Sequence, residues 1–160
     1  KNSEIIRKLI LNKKSNFNRY TDLFLYSASR SENIKELKKF HKKRIIIIDR
    51  FTDSTIAYQH FGLGVDLNLI RKIHNVILND FKIDFTFLNV VNETNMLQRL
   101  KKRNKLNRYD TFNVKFYKKV QKGFLTLAKK KPNKYKIINS NLDMKINKDI
   151  VLKKISELIK

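Results

Sequence analysis

Four consecutive isoleucines, Ile45–Ile48, stand between Arg44 and Asp49. A short, continuous, β-branched run of this kind predicts a strand that is buried on both faces, as in a parallel sheet. Two further segments, Asp84–Val91 and Tyr135–Asn139, also predict strands. Because the segments between these strands have the apolar spacing of helices, the sequence predicts an α/β fold built from parallel β-α-β units.

Helical apolar spacing occupies most of the remaining chain. Predicted helices span Ser3–Leu11, about 21–42, Ser54–Phe61, a segment capped by Asp66, a segment from the cap Asn92 to about Arg103, Asn113–Lys130 and Asn147–Lys160. The polar, basic segment Asn104–Phe112 has no periodicity, which predicts a mobile loop. A chain of 160 residues is long enough for one domain with its own core. We therefore expect a single domain over residues 1–160.

The chain is strongly basic, with 37 Lys+Arg against 14 Asp+Glu and a formal charge of +23. Such a charge raises the alternative of a basic nucleic-acid-binding protein. However, only nine of these residues are arginines, and the lysines are scattered over nearly every segment. Arginine is the preferred residue for recognising phosphates and bases because of its fork geometry. We therefore attribute the charge to a lysine-rich composition and expect no nucleic-acid partner.

Several classes of protein are excluded by what the sequence lacks. The absence of cysteine excludes disulfide scaffolds, thiolate zinc sites and cysteine nucleophiles. The longest purely apolar run is four residues, so no segment is suited to span a bilayer, and we expect a cytoplasmic protein. The three glycines fit neither a Walker A loop nor a G-x-G-x-x-G turn.

Asp49 and Arg50 follow the isoleucine run directly. Ligands of parallel α/β sheets bind beyond the carboxyl ends of the strands, so this pair is a candidate for handling a phosphate and a hydrated Mg²⁺. A strand-end ion pair or a helix cap is the alternative explanation of the same residues. The spacing alone leaves both explanations open.

Several motifs resemble bacterial thymidylate kinases. The segment Asp49–Asp66, DRFTDSTIAYQHFGLGVD, is similar to the D-R-[YFH]-x-x-S-x-x-A-Y-Q-x-x-x-x-G region of that family. Further similarities lie in FLYSASR at Phe24–Arg30, in DFT at Asp84–Thr86, in Arg99-x-x-x-Arg103, which resembles the basic LID, and in NRYD at Asn107–Asp110, which resembles the D-R-[IF]-E that follows it. Val90 and Gln121 depart from the pattern, where the family has Asp and commonly Arg.

The resemblance implies a P-loop nucleoside monophosphate kinase fold, with a three-layer parallel sheet, that transfers the γ-phosphate of ATP to dTMP with Mg²⁺. It also implies a possible homodimer. The family's first strand, its G-x-x-x-x-G-K-[ST] loop, the following helix and a second strand would precede Asn2. We therefore expect the 160 residues alone to lack kinase activity. A non-catalytic nucleotide-binding remnant is the alternative.

By the same resemblance, residues of two segments would form the dTMP site. Tyr26 would stack on the pyrimidine, while Arg30, four residues further on the same helix face, would donate to a base carbonyl. The other lining residues would be Ser54, Thr55, Tyr58 and Gln59, with Thr55 and Gln59 near the base and Tyr58 near the sugar. The alternatives are a core aromatic at Tyr26 and a capped helix with an exposed polar face at Ser54–Gln59.

The catalytic charges would come from the remaining motif residues. Arg50 would hold the acceptor phosphate, and Asp49 would help to organise Mg²⁺ through water. Arg99, Arg103 and Arg108, in a LID at about 99–112, would close over the ATP phosphates during transfer. A solvated basic helix end is the alternative for these three arginines.

Overall fold

Helices make up most of the protein, and the structure, a computed structural model, describes residues 2–40 and 44–159. The helices are α1 (Asn2–Leu11), α2 (Arg19–Leu37), α3 (Thr52–Thr55), α4 (Leu67–Leu78), α5 (Glu93–Lys101), α6 (Val114–Lys130) and α7 (Met144–Ile159). A π-helix, Ile56–Gly62, continues α3, and 3₁₀-helices span Arg108–Thr111 and Pro132–Lys134. The strands are β1 (Thr86–Val90) and β2 (Tyr135–Asn139).

The two strands pair directly and in parallel. Thr86 lies opposite Tyr135, and Val90 lies opposite Asn139. Parallel strands cannot be joined by a hairpin, and here α5 and α6 lie between them in the chain. The α/β class and the strands predicted around residues 84–91 and 135–139 are therefore confirmed.

The predicted buried strand Arg44–Asp49 is wrong. Residues 45–48 have no regular secondary structure, and the side chains of Ile45 and Ile47 are 67% and 83% exposed. A strand requires a neighbouring strand that satisfies its backbone groups, and within the described residues the sheet contains β1 and β2 alone. The β-branched composition predicts how such a run packs, but it does not supply a neighbour.

Side-chain caps determine where several helices begin. Asn18 accepts hydrogen bonds from the Tyr20 and Thr21 amides, so α2 starts at Arg19 rather than at residue 21. The predicted caps Asp66 and Asn92 are confirmed at α4 and α5. α2 ends at Leu37 rather than near residue 42, α5 ends two residues earlier than predicted, and α7 begins three residues earlier; positions 41–43 lie outside the described residues.

The chain forms two compact units. The first comprises the described residues up to Lys82 together with Lys105–Leu125, and the second comprises Ile83–Asn104 and the described residues from Thr126 onward. In the second unit, Leu88 of β1 and Ile138 of β2 are buried. The single domain expected over residues 1–160 stays a prediction.

The core of the first unit consists of two clusters. The larger contains Ile10, Ala57, Tyr109, Phe116 and Val120, and the smaller contains Leu23, Val65 and Ile70. Tyr109 reaches the larger cluster from the 3₁₀-helix at the end of the predicted loop 104–112. The prediction of a loop without structure is therefore wrong for residues 108–111, where the Asn107 and Asp110 side chains form a reciprocal capping box.

A π-helix follows α3 where the sequence predicts an ordinary helix over Ser54–Phe61. The Leu63 amide donates to the Tyr58 carbonyl over 3.0 Å, five residues back. Gly62 lies against α6 so closely that an added Cβ would stand 2.5 Å from the Phe116 ring. π-Helices are rare, and those that occur often lie at functional sites. This one carries Tyr58 and Gln59.

Among the described helices, none is both long enough and apolar enough to cross a membrane.

Candidate active site

One face of α2 carries an acidic, an aromatic and a basic side chain. Asp22, Tyr26 and Arg30 are spaced four residues apart, and positions at this spacing lie on the same side of an α-helix. Asp22 is buried, while Tyr26 and Arg30 are half-buried. The helix therefore presents these three groups together to the elements that pack against it.

Arg30 contacts the segment that contains α3. Its Nη2 donates a hydrogen bond to Thr55 Oγ1 over 2.8 Å, and its guanidinium lies 4.9 Å from the centre of the Phe51 ring. Arg30 Nε is buried and has no hydrogen-bond partner among the described residues. Burial lowers the pKa of Arg30 to about 10, against the opposing effect of the Asp53 charge. The hydrogen bond to Thr55 thus holds Arg30 in place, and its Nε is a donor that no described residue uses.

Arg50 occupies a strained backbone conformation next to the π-helix. Its φ is +61°, in the left-handed region that residues with a Cβ rarely adopt. Its Nη1 donates to the Tyr58 hydroxyl over 3.2 Å, and the guanidinium lies 5.3 Å from the centre of that ring. Strain of this kind clusters at functional sites. Burial lowers the pKa of Arg50, but Tyr58 and, to a smaller extent, the exposed Asp49 outweigh this effect and raise it above its usual value.

Aromatic rings from three elements meet at Tyr109. Its ring centre lies 6.0 Å from that of Tyr26 on α2 and 5.6 Å from that of Tyr58 in the π-helix. The Tyr117 hydroxyl on α6 donates to the Tyr109 carbonyl over 2.7 Å. The two aromatic residues predicted for the dTMP site therefore share a neighbour that the sequence prediction did not include.

A buried polar chain passes through the Tyr109 hydroxyl. Arg108 Nη2 donates to Asp22 Oδ1, and the Tyr109 hydroxyl donates to Asp22 Oδ2 over 2.9 Å. Gln59 Nε2 in turn donates to the Tyr109 hydroxyl over 3.3 Å. Burial, together with the nearby Tyr26 and Asp22, raises the pKa of Tyr109, so its hydroxyl keeps its proton at neutral pH.

The structure places the other predicted residues as follows. Ser54 is half-buried in α3, and its amide donates to the Phe51 carbonyl over 3.1 Å. Arg99 and Arg103 belong to the second unit. Arg99 Nη2 donates to the Ser140 carbonyl over 2.6 Å, in the loop after β2, and Arg103 is exposed just beyond the end of α5. Arg108, predicted to close over ATP, is buried against Asp22.

The sequence matches the family model described as thymidylate kinase over residues 1–151. The chain belongs to the thymidylate kinase family. It is 37% identical over 160 residues to the thymidylate kinase of Wolbachia pipientis subsp. Culex pipiens (strain wPip), covering 95% of this chain and 75% of that relative. It is likewise 37% identical over 150 residues to the thymidylate kinase of Wolbachia sp. subsp. Brugia malayi (strain TRS), covering 92% and 70%.

A solved structure is similar as well. The crystal structure of thymidylate kinase from Ehrlichia chaffeensis superimposes with a TM-score of 0.73 at 30% sequence identity, covering 96% of this chain and 72% of that one. The thymidylate kinase resemblance inferred from the motifs is therefore confirmed. The α/β fold of this chain, with its small parallel sheet and many helices, is that of a thymidylate kinase.

Three residues near the site were not predicted from the sequence. Asp22 could have been found, because it precedes Tyr26 by the same four residues that separate Tyr26 from Arg30. Tyr109 enters the sequence prediction only as part of the NRYD motif. His74 on α4 is buried, and its Nε2 has no hydrogen-bond partner in the described part of the chain. Burial and the Arg30 charge lower the pKa of His74 to about 4.

Proposed function

We propose that the site on α2, α3 and the π-helix binds dTMP as the phosphoryl acceptor of an ATP-dependent kinase, which gives dTDP. The observation that carries the proposal is a set of contacts within one unit: Arg30 with Thr55, Arg50 with Tyr58, and the rings of Tyr26 and Tyr58 both beside Tyr109. Membership of the thymidylate kinase family supports the same substrate.

The pyrimidine would bind to residues of α2, α3 and the π-helix. The half-buried Tyr26 ring offers a stacking surface, and such stacking is a common source of affinity for bases. Arg30 would donate to a base carbonyl through the guanidinium that Thr55 holds in place. Thr55 and Gln59 would lie near the base, Tyr58 near the sugar, and Ser54 beside them at the edge of the site.

The acceptor phosphate would bind to Arg50. Arg50 is exposed, and its hydrogen bond to the Tyr58 hydroxyl would restrict the guanidinium to one orientation before the phosphate binds. Pre-orientation of this kind avoids part of the entropic cost of binding, and it gives the backbone strain at Arg50 a functional reason.

ATP with a divalent cation, Mg²⁺, would supply the phosphoryl group. Among the described residues, no group of three or more histidine, aspartate or glutamate side chains could hold a metal ion. The exposed carboxylate of Asp49 fits an ion held mainly by phosphate oxygens and water, as Mg²⁺ commonly is. Such an ion neutralises charge on the transferred phosphate when it is bound.

Arg99 and Arg103 would interact with the ATP phosphates. Both lie at the carboxyl end of α5, where lysines also gather. Guanidinium groups stabilise the charge that develops on a transferred phosphoryl group.

We further propose a homodimer in the cytoplasm, for which the exposed side chains of Ile5, Leu9 and Phe24 on α1 and α2 offer apolar surface.

Ligand binding to the 160-residue chain tests the acceptor site directly. Because the chain contains no G-x-x-x-x-G-K-[ST] sequence, the readout is dTMP affinity by titration calorimetry rather than turnover. We expect dTMP to bind at least about tenfold more tightly than dGMP, and Arg30→Ala to weaken dTMP by about 1.5–3 kcal/mol. Arg71→Ala, an exposed arginine on α4, is the matched control. Equal affinity for dTMP and dGMP would refute the proposal.

A further inference from the structure

The polar chain from Arg108 to Gln59 lies deep inside the first unit. Asp22 is 2% exposed, Gln59 1%, Tyr109 6% and Arg108 8%. Buried polar groups are costly unless they are hydrogen-bonded, so a chain of this kind has few alternative arrangements. The pair Asp22–Arg108 joins α2 to a segment 86 residues later in the sequence.

The direction of each hydrogen bond in this chain follows from the one before it. Paired with the Arg108 guanidinium, which can only donate, the Asp22 carboxylate can only accept. The Tyr109 hydroxyl must therefore give its single proton to Asp22. Its oxygen can then only accept, so Gln59 must turn its amide nitrogen toward Tyr109.

Because Gln59 Nε2 must donate to the Tyr109 hydroxyl, the Gln59 amide oxygen is left as an acceptor in a fixed position. Among residues 2–40 and 44–159, the Gln59 side chain has one hydrogen-bond partner, the Tyr109 hydroxyl. Rotating the amide by 180° would bring its oxygen toward a hydroxyl oxygen that has no second proton to donate. The oxygen of Gln59 is thus held away from Tyr109 and has no hydrogen-bond partner among these residues.

Pyrimidine bases differ at the atom such an acceptor would meet. Thymine carries a proton on N3 and can donate there, whereas cytosine has an unprotonated N3 and can only accept. A site that offers a fixed acceptor rejects a base that lacks the donor, because two acceptors then face each other in a buried place.

We propose that Asp22, Arg108 and Tyr109 are positioning residues that orient the Gln59 amide and thereby select a pyrimidine with an N3 proton over cytosine. This inference rests on the proposed dTMP site. It assigns Arg108 to the base end of the acceptor site, and it explains why this residue of the basic segment Asn104–Phe112 is buried against Asp22 of α2. None of the three needs to touch the nucleotide to have this effect.

The test compares dTMP and dCMP affinities of the 160-residue chain by titration calorimetry. We expect wild type to prefer dTMP by at least about tenfold, and Tyr109→Phe, which removes only the hydroxyl, to reduce that preference about 3- to 10-fold. Asp22→Asn should reduce it similarly. Lost folding alone lowers both affinities together, so the ratio separates positioning from stability, and thermal unfolding of each variant serves as the check.

A double-variant cycle identifies the path of the effect. Gln59→Leu should also reduce the preference, and in that background Tyr109→Phe should change it no further. If the ratio of dTMP to dCMP affinity is unchanged in Tyr109→Phe but selectivity is lost in Gln59→Leu, then Tyr109 does not orient Gln59. That result would overturn the positioning role and leave the proposed acceptor site intact. A ratio unchanged in Gln59→Leu would overturn the inference as well. A wild-type chain that binds neither nucleotide would overturn both proposals.

Discussion

The Arg50 guanidinium donates a hydrogen bond to the Tyr58 hydroxyl over 3.2 Å from a backbone whose φ is +61°. Residues with a Cβ adopt this conformation at a cost of about 1–2 kcal/mol, whereas glycine adopts it freely. Arg50, which we propose to bind the acceptor phosphate, therefore keeps its orientation against a local conformational penalty, as is common for residues at active sites.

The first prediction concerns that penalty. Arg50→Gly and Arg50→Ala both remove the side chain, so they differ only in what the backbone prefers. We expect the glycine variant to be more stable than the alanine variant by about 1 kcal/mol, measured by urea unfolding. Both variants should lose most of their affinity for dTMP, because neither can contact the phosphate.

The matched control uses Arg71, an exposed arginine within α4. In a helix the order should reverse, with Arg71→Gly less stable than Arg71→Ala by about 1 kcal/mol. If alanine is also the more stable substitution at position 50, then the left-handed conformation of Arg50 is not a source of strain.

The second prediction separates the ring of Tyr26 from its hydroxyl. Tyr26→Phe keeps the stacking surface and should change dTMP affinity by less than about threefold, while Tyr26→Leu should weaken it by about 1–3 kcal/mol. Fluorescence or calorimetric titration with dTMP measures both. The expectation fails if the leucine variant binds dTMP as tightly as the phenylalanine variant does.

Local signals predicted much of the fold. Asp66 and Asn92 were recognisable as helix caps because the capping oxygen and the amides it serves are at most three residues apart. The strand Tyr135–Asn139 was predicted with its exact limits. Information within a few residues is sufficient for such features.

Features that depend on distant residues were not predicted. The isoleucine run at 45–48 has the composition of a strand, yet no strand among the described residues pairs with it. The ion pair of Asp22 with Arg108 spans 86 residues, so periodicity cannot reveal it. Of the candidate site, the motif residues were identified from the sequence, but the contacts that orient them were not.

The third prediction compares two isoleucines in opposite environments. Ile47 is 83% exposed and Ile70 is fully buried in the core of the first unit. In the 160-residue chain, Ile47→Ala should change the free energy of unfolding by less than about 0.5 kcal/mol, and Ile70→Ala should lower it by about 2–5 kcal/mol. A large loss from Ile47→Ala would mean that the isoleucine run is packed in solution.

The fourth prediction concerns the pH dependence of stability. Burial and the Arg30 charge lower the pKa of His74 to about 4, whereas in the unfolded chain it is about 6.5. Between these values the unfolded state binds more protons than the folded state does. His74 therefore destabilises the protein progressively as the pH falls from about 6.5 to about 4, and it has no such effect above about 7.

A neutral substitute isolates this contribution from that of the carboxylates. His74→Asn cannot gain a charge in this range, so subtracting its unfolding free energy from that of wild type cancels other groups. We expect the difference to be constant between pH 7 and 8 and to shift against wild type by about 2–3 kcal/mol by pH 4.5. Urea unfolding at half-unit intervals measures it. A difference that stays constant down to pH 4.5 would mean that His74 takes up a proton in the folded protein as readily as in the unfolded chain, and that Arg30 and burial do not exclude its charge.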